Sequence, residues 1–254
     1  MSLIFQKFLI ITIILSLLVF SFFYIDINYS EIFLIKNLNN IFSLFKEFAN
    51  PDLNKNFNKL LLFSLLETFC MSIASIFFSF IFAIFITIFS NTKNKFILIP
   101  INLVLNFLRS IPEIMWALLL LITFGIGPLS GTIALFLHTS GILGKLFIEV
   151  LKNSSNNNGR SLRIAGNSET KILFFVTFPL IFSQLLNYTF YRWENNIRAA
   201  SVLGIVGAGG LGQLLYYHLS LFHYQKVSTI IIMLLILIII VDQISAYFRK
   251  KLTR

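Results

Sequence analysis

Six long apolar runs, each close to the length a helix needs to cross a bilayer, constrain this chain more than any other feature of its sequence. A hydrocarbon core of about 30 Å takes roughly 20 mostly apolar residues per spanning helix. The runs fall at roughly residues 8–25, 61–90, 96–125, 129–151, 172–197 and 226–248, separated by polar segments. The expected fold is therefore all-α, a polytopic membrane protein of about six transmembrane helices. Composition agrees, because 57% hydrophobic residues with 30 phenylalanines exceed what one globular core of 254 residues would use. The first run follows Lys7 and has no small-residue cleavage site after it, so it is expected to be retained as a helix.

A net charge of +10 could point to nucleic acid, but the cations are scattered between apolar runs and form no patch with interleaved aromatics. Membrane orientation explains them better, since positive residues stay on the cytoplasmic side. Eleven of the 20 Lys and Arg residues then lie inside: Lys7, Lys93, Lys95, Lys152, Arg160, Arg163, Lys171, Arg249, Lys250, Lys251 and Arg254. Both termini are expected to face the cytoplasm. The division expected is 1–59, a first helix and an external loop with a short interfacial helix, and 60–254, a core with a cytoplasmic loop at about 152–172.

Helix breakers punctuate the core. Pro112 lacks a backbone donor and is expected to kink the third span, while Gly125, Gly127, Pro128 and Gly131 form the outer turn to the fourth. Gly141 and Gly144, with Ser140, suit close helix approach. The cytoplasmic loop carries a polar run, 153–159, then Arg160-Ser161-Leu162-Arg163-Ile164-Ala165-Gly166, a short amphipathic helix ending at a glycine that permits a sharp bend. Pro179 then suits an early helix position or a kink.

The densest polar segment is Tyr191 to Gly212. Ionisable residues near a bilayer cost about 2.5–3.5 kcal/mol each at a helix centre and mark a pathway or a partner. Arg192 and Arg198 would attract an anion; Glu194, four residues before Arg198, is expected to pair with a neighbouring arginine, and Arg192 and Asn196 lie near one helix face. Gly207, Gly209 and Gly212 match G-x-G-x-x-G after a strand-like Ser201 to Val206, but the acidic residue expected about 20 positions on is missing. A broken or re-entrant segment, with amides at Gly207, Gly209 and Gly210 free to bind an oxyanion, fits better than a dinucleotide site. Local pairs are also expected for Arg109 with Glu113 and for Lys145 with Glu149. Asp242, in the last span, is either a packing partner or a pathway residue. Cys70 has no partner for a disulfide, His138, His218 and His223 lack metal spacing, and nothing resembles a P-loop, so no metal, cofactor or ATP hydrolysis is expected of the chain itself.

Two of these segments carry a family resemblance. The loop from Arg160 through Gly166 to Val176-Thr177-Phe178-Pro179 resembles the coupling loop of importer permeases of the ATP-binding-cassette superfamily. It departs from them at Arg160-Ser161-Leu162, where the pattern usually begins Glu-Ala-Ala. The run from Tyr191 to Gly212, continuing through His223-Tyr224 to Asp242, resembles phosphonate-importer permeases, and together the likeness covers roughly residues 60–250. The resemblance implies a type I importer permease core in the cell inner membrane, non-catalytic and without cofactor. It implies as partners a second permease copy, cytoplasmic ATPase subunits, an external solute-binding protein and membrane lipid, with no nucleic acid. Transport would be of phosphonate, phosphate or phosphite by alternating access, with Arg192, Glu194, Asn196, Arg198, Gly207, Gly209 and Gly210 on the pathway. Arg160, Ser161, Leu162, Gly166 and Pro179 would form the ATPase contact. Two other classes fit the composition: a secondary transporter, against which the lack of an internal repeat counts, and a non-transport membrane assembly protein.

Overall fold

A computed structural model describes residues 3–24, 35–52, 54–92, 94–154 and 160–252, and among them every regular element is helical. The chain divides into two compact units, Met1–Glu47 and Phe48–Arg254. The first unit holds α1 (Leu3–Tyr24) and most of α2 (Ile35–Phe48). Helix α1 is apolar enough over 18 residues to cross a membrane, and α2 lies in sequence within the connection between α1 and the next helix.

The second unit contains α3 (Lys55–Phe89), α4 (Lys95–Ser110), α5 (Glu113–Phe124), α6 (Pro128–Ser154), α7 (Arg160–Ile164), α8 (Glu169–Ile172), α9 (Phe178–Leu203), α10 (Gly210–Ser220) and α11 (Tyr224–Leu252). Among the described residues, and with α1 included, five helices are long and apolar enough to span a bilayer, or six if the bent pair α4–α5 counts as one span. That pair turns by 90° at Ile111-Pro112, so the expected kink is a full break. The physical cause is that Pro112 has no N–H to donate and forces Ile111 into an extended conformation (ψ 121°). Pro179 is tolerated at the start of α9 because a π-helical turn, Leu173–Thr177, precedes it and absorbs the register change.

Small residues let the central helix α6 approach its neighbours. A Cβ on Gly141 would sit 2.7 Å from the Arg109 amide nitrogen and 2.9 Å from Leu108 Cβ, and one on Gly144 would reach 2.6 Å from Leu105. Helix–helix packing in lipid has little hydrophobic driving force, so this close approach supplies dispersion contact directly. A second small-residue cluster, Ala117, Ala134, Ala199, Ala200 and Ala208 with Leu135 and Leu203, joins α5, α6 and α9. Larger side chains fill the remainder of the core, with Phe147, Leu61, Leu185, Leu211, Ile230 and Val241 fully or almost fully buried.

The stretch from Ser201 to Val206 is not strand-like. Helix α9 runs through Leu203 and tightens into a 3₁₀ turn, Gly204–Val206. Its small and buried residues hold it helical while Val202 and Ile205 stay exposed: Ser201 Oγ donates to the Ile197 carbonyl, and Gly204 lies against the backbone of Gly212 and Gln213. Tertiary packing overrides a local preference here.

Candidate functional site

A buried polar seam runs along α3. Ser64, Thr68, Ser72, Ser75 and Ser79 recur every three or four residues, so they share one face, and all are buried. Trp193 Nε1 donates to Ser72 Oγ at 3.2 Å, and Asn196 Nδ2 donates to Ser75 Oγ at 3.2 Å. Thr139 Oγ1 donates to Asn196 Oδ1 at 2.8 Å, and Ser79 Oγ to the Phe136 carbonyl at 3.0 Å. Asn196 thus ties α9 to both α3 and α6 with both ends of its amide engaged. The sequence reading missed this seam, although the spacing of small polar residues in an apolar helix was the signal for it.

The charges on α9 pair across helices, not along one. Glu194 pairs with Arg249, and Arg198 Nη2 donates to Asp242 Oδ2 at 2.7 Å. The expected link between Glu194 and Arg198 or Arg192 is therefore replaced by two bridges to α11, and Asp242 is a packing partner. The cause is the side-by-side packing of α9 and α11, which stacks Phe190 on Phe248 (5.2 Å, 7°) and directs Ser245 Oγ to the Phe190 carbonyl at 3.0 Å. Arg249 also donates to Ser245 Oγ at 3.3 Å. Arg198 is thereby paired within the chain.

Arg192 differs, because its Nε is buried and has no hydrogen-bond partner. The charged group facing it is Glu113, from the first turn of α5. Glu113 Oε2 in turn lies 3.3 Å from His138 Nε2, and His138 Nδ1 lies 2.9 Å from the Ile111 carbonyl oxygen. The expected Arg109–Glu113 pair gives way to this cluster because the break at Pro112 swings α5 away from the axis of α4 and onto α6. Similarly, Lys145 does not bond Glu149 but donates to Asn102 Oδ1 at 3.0 Å, joining α6 to α4.

The glycine-rich segment is a break, as expected, and the amides of Gly207 and Gly210 are engaged within the chain, that of Gly207 by the Gly204 carbonyl at 3.0 Å. Gly207 and Gly209 adopt φ of 96° and 85°, conformations open chiefly to glycine. The Gly210 amide donates to Glu67 Oε2 at 2.7 Å and the Leu211 amide to Thr68 Oγ1 at 2.8 Å. Two side chains of α3 therefore cap the N-terminus of α10, where an oxyanion was expected. Gly207 meets the other turn of the bundle, its carbonyl accepting from the Gly127 amide at 3.1 Å. Beside the cap lies a cavity of about 220 Å³ lined by Ser64, Glu67, Gly210, Gln213, Leu214 and Tyr217.

The loop expected to face the cytoplasm contains α7. Residues 155–159 and the side chains of Arg160 and Ser161 lie outside the described residues. Gly166 takes φ 79° with nothing near the position a Cβ would occupy. Its amide donates to the Arg163 carbonyl at 3.0 Å and that of Asn167 to the Leu162 carbonyl at 3.0 Å, which closes the C-terminus of α7. Arg163 clasps Glu169 through two bonds of 2.8 and 3.1 Å, and these raise the guanidinium pKa above its ordinary value. Ile164, an apolar side chain in this loop, is 80% exposed among the described residues.

Elsewhere, His218 Nδ1 and His223 Nδ1 lie 3.3 Å apart at the α10–α11 turn. Among the described residues no group of three or more His, Cys, Asp or Glu side chains could hold a metal ion.

Residues 83–254 match the model of the family described as binding-protein-dependent transport system inner membrane component. The chain is 36% identical over 163 residues to HtxE of Stutzerimonas stutzeri, named for phosphite transport, a match covering 64% of this chain and 62% of that protein. It is 32% identical over 189 residues to the phosphite transport system permease protein PtxC of the same organism, covering 73% of this chain and 69% of that one. The fold is similar to that of a chain from the inward-facing MetNI methionine ABC transporter, with a TM-score of 0.69 at 20% identity over 80% of this chain and 100% of that one.

Proposed function

From a chain that belongs to the family of inner-membrane components of binding-protein-dependent transport systems, we propose a permease subunit of an ATP-driven importer for a phosphorus oxyanion such as phosphite, phosphonate or phosphate. The observation that carries the substrate class is the likeness to two relatives named for phosphite transport. The geometry supports it through Arg192, a cation inside the bundle with an unsatisfied donor. Such a donor suits a tetrahedral oxyanion, which offers several acceptors at once.

The chain itself is non-catalytic, and the energy comes from partners. Cytoplasmic ATPase subunits dock on the loop formed by Arg160, Ser161, Leu162 and Gly166, where Ile164 offers an exposed apolar knob. An external solute-binding protein delivers the anion, and a second permease copy completes the pathway. Closure of the ATPases moves α7, and Gly166 transmits that motion toward α9 through a bend that is fixed locally by the Arg163–Glu169 clasp. Both termini face the cytoplasm, and the pathway passes Arg192.

The affinity of the cognate binding protein for phosphite, phosphate, methylphosphonate, sulfate and a neutral sugar tests the substrate class. Tightest binding of a phosphorus oxyanion is expected. Tight binding of a sugar or a cation instead would refute it.

A further inference from the structure

His138 contacts two groups that only accept hydrogen bonds. Its Nδ1 is 2.9 Å from the Ile111 carbonyl oxygen, which has no hydrogen to give, so Nδ1 carries one. A neutral imidazole then offers Nε2 only as a lone pair, yet Nε2 faces Glu113 Oε2 at 3.3 Å. A lone pair against an ionised carboxylate is repulsive, so this contact becomes favourable when the pair takes up one further proton, on Nε2 or on the carboxyl oxygen. The Ile111 carbonyl is available because Pro112 ends α4 there, so the break in the third span and this proton share one imidazole.

The charged groups facing His138 are Glu113 from α5 and Arg192 from α9, while Glu113 and Tyr191 face Arg192. On α4, Arg109 is exposed and outside this set. Counting charges, Glu113, His138 and Arg192 sum to +1 with the shared proton and to zero without it.

We propose that Glu113, His138 and Arg192 form a contact site for the oxyanion within the permease, in which Arg192 donates to the anion and the proton shared by Glu113 and His138 sets the charge of the site. With the proton bound, the Glu113 carboxylate is neutralised and Arg192 attracts the solute. Without it, the negative charge of Glu113 offsets the attraction of Arg192 for the solute. The inference rests on the oxyanion reading above and adds to it a site on the permease distinct from that on the binding protein.

The test is phosphite uptake by proteoliposomes holding the complete importer, with phosphite-loaded binding protein outside and ATP within, from pH 6 to pH 8.5. Binding-protein-stimulated ATP hydrolysis is measured in parallel. Wild-type uptake is expected to fall as pH rises. Glu113→Gln removes the offsetting charge, so its uptake stays near the low-pH level throughout. His138→Gln leaves the carboxylate ionised and is held near the high-pH level. These opposite effects separate the site from the ionisation of phosphite or of the binding protein, which all variants share. Arg192→Ala is expected to lose at least about tenfold in uptake, the scale of one charge-assisted hydrogen bond, while stimulated ATP hydrolysis persists; Arg192→Lys recovers part of the loss. Uptake by Arg192→Ala within twofold of wild type, with coincident pH profiles for Glu113→Gln and His138→Gln, overturns the site and leaves the oxyanion reading intact. Stimulated ATP hydrolysis by wild type without uptake of phosphite, phosphate or methylphosphonate overturns the oxyanion reading and the site with it.

Discussion

Glycine interrupts the helices on both sides of α9, and the two interruptions are built in opposite ways. At Gly166 a positive φ turns the chain in open space, and the loop is held by surface bonds with Ile164 left exposed. Between Gly204 and Gly212 the glycines are packed against one another and against α3, and the liberated amides are capped by Glu67 and Thr68. The same residue type thus serves reach in one place and close packing in the other. An open break suits an element that another protein grips; a sealed one suits a joint that must hold its shape within lipid, where an unsatisfied amide costs several kcal/mol.

Substitutions should divide along that line. Gly212→Ala places a methyl group inside the Ser201 carbonyl oxygen, so the helices must part. We expect a loss of about 3 kcal/mol or more and a failure to survive detergent extraction, read by fluorescence-detected gel filtration. Glu67→Ala leaves the Gly210 amide without its acceptor and should cost about 1–3 kcal/mol, seen as a lower melting temperature of the purified complex. Gly166→Ala meets no neighbour and pays only for a left-handed backbone, about 1 kcal/mol. Ile164→Glu should leave melting unchanged and yet weaken co-purification of the ATPase, because its side chain is 80% exposed among the described residues. Arg163→Ala should be the mildest: its exposed clasp on Glu169 matters for loop angle, and the expected sign is a lower ratio of solute moved to ATP hydrolysed without loss of assembly. Equal melting losses at Gly212 and Gly166 would erase the distinction.

Much of the fold was legible in the sequence because bilayer thickness sets a length that apolar runs must meet. The runs at 61–90, 129–151 and 226–248 correspond to α3, α6 and α11, and Pro112, Gly141 and Gly166 act as their chemistry predicts. Charge pairing was less legible. Residues four apart on one helix are visible in sequence, whereas Glu194–Arg249, Arg198–Asp242 and Glu113–His138 are between 25 and 55 positions apart and depend on which helices lie side by side. The capping of Gly210 by Glu67 spans 143 positions and could not be read from spacing at all. The seam on α3 was missed although its three- and four-residue period is present in the sequence, because small hydroxyl side chains in an apolar helix also suit any close helix contact.

The central claim is that this chain carries a phosphorus oxyanion across the membrane on energy supplied by an ATPase partner. Phosphite accumulation in proteoliposomes containing the permease, the ATPase and the binding protein measures it most directly, with each component omitted in turn and with an ionophore present. The account predicts accumulation that requires all three components and trapped ATP and that persists when ion gradients are collapsed. Accumulation that continues without ATP or vanishes with the ionophore would contradict it.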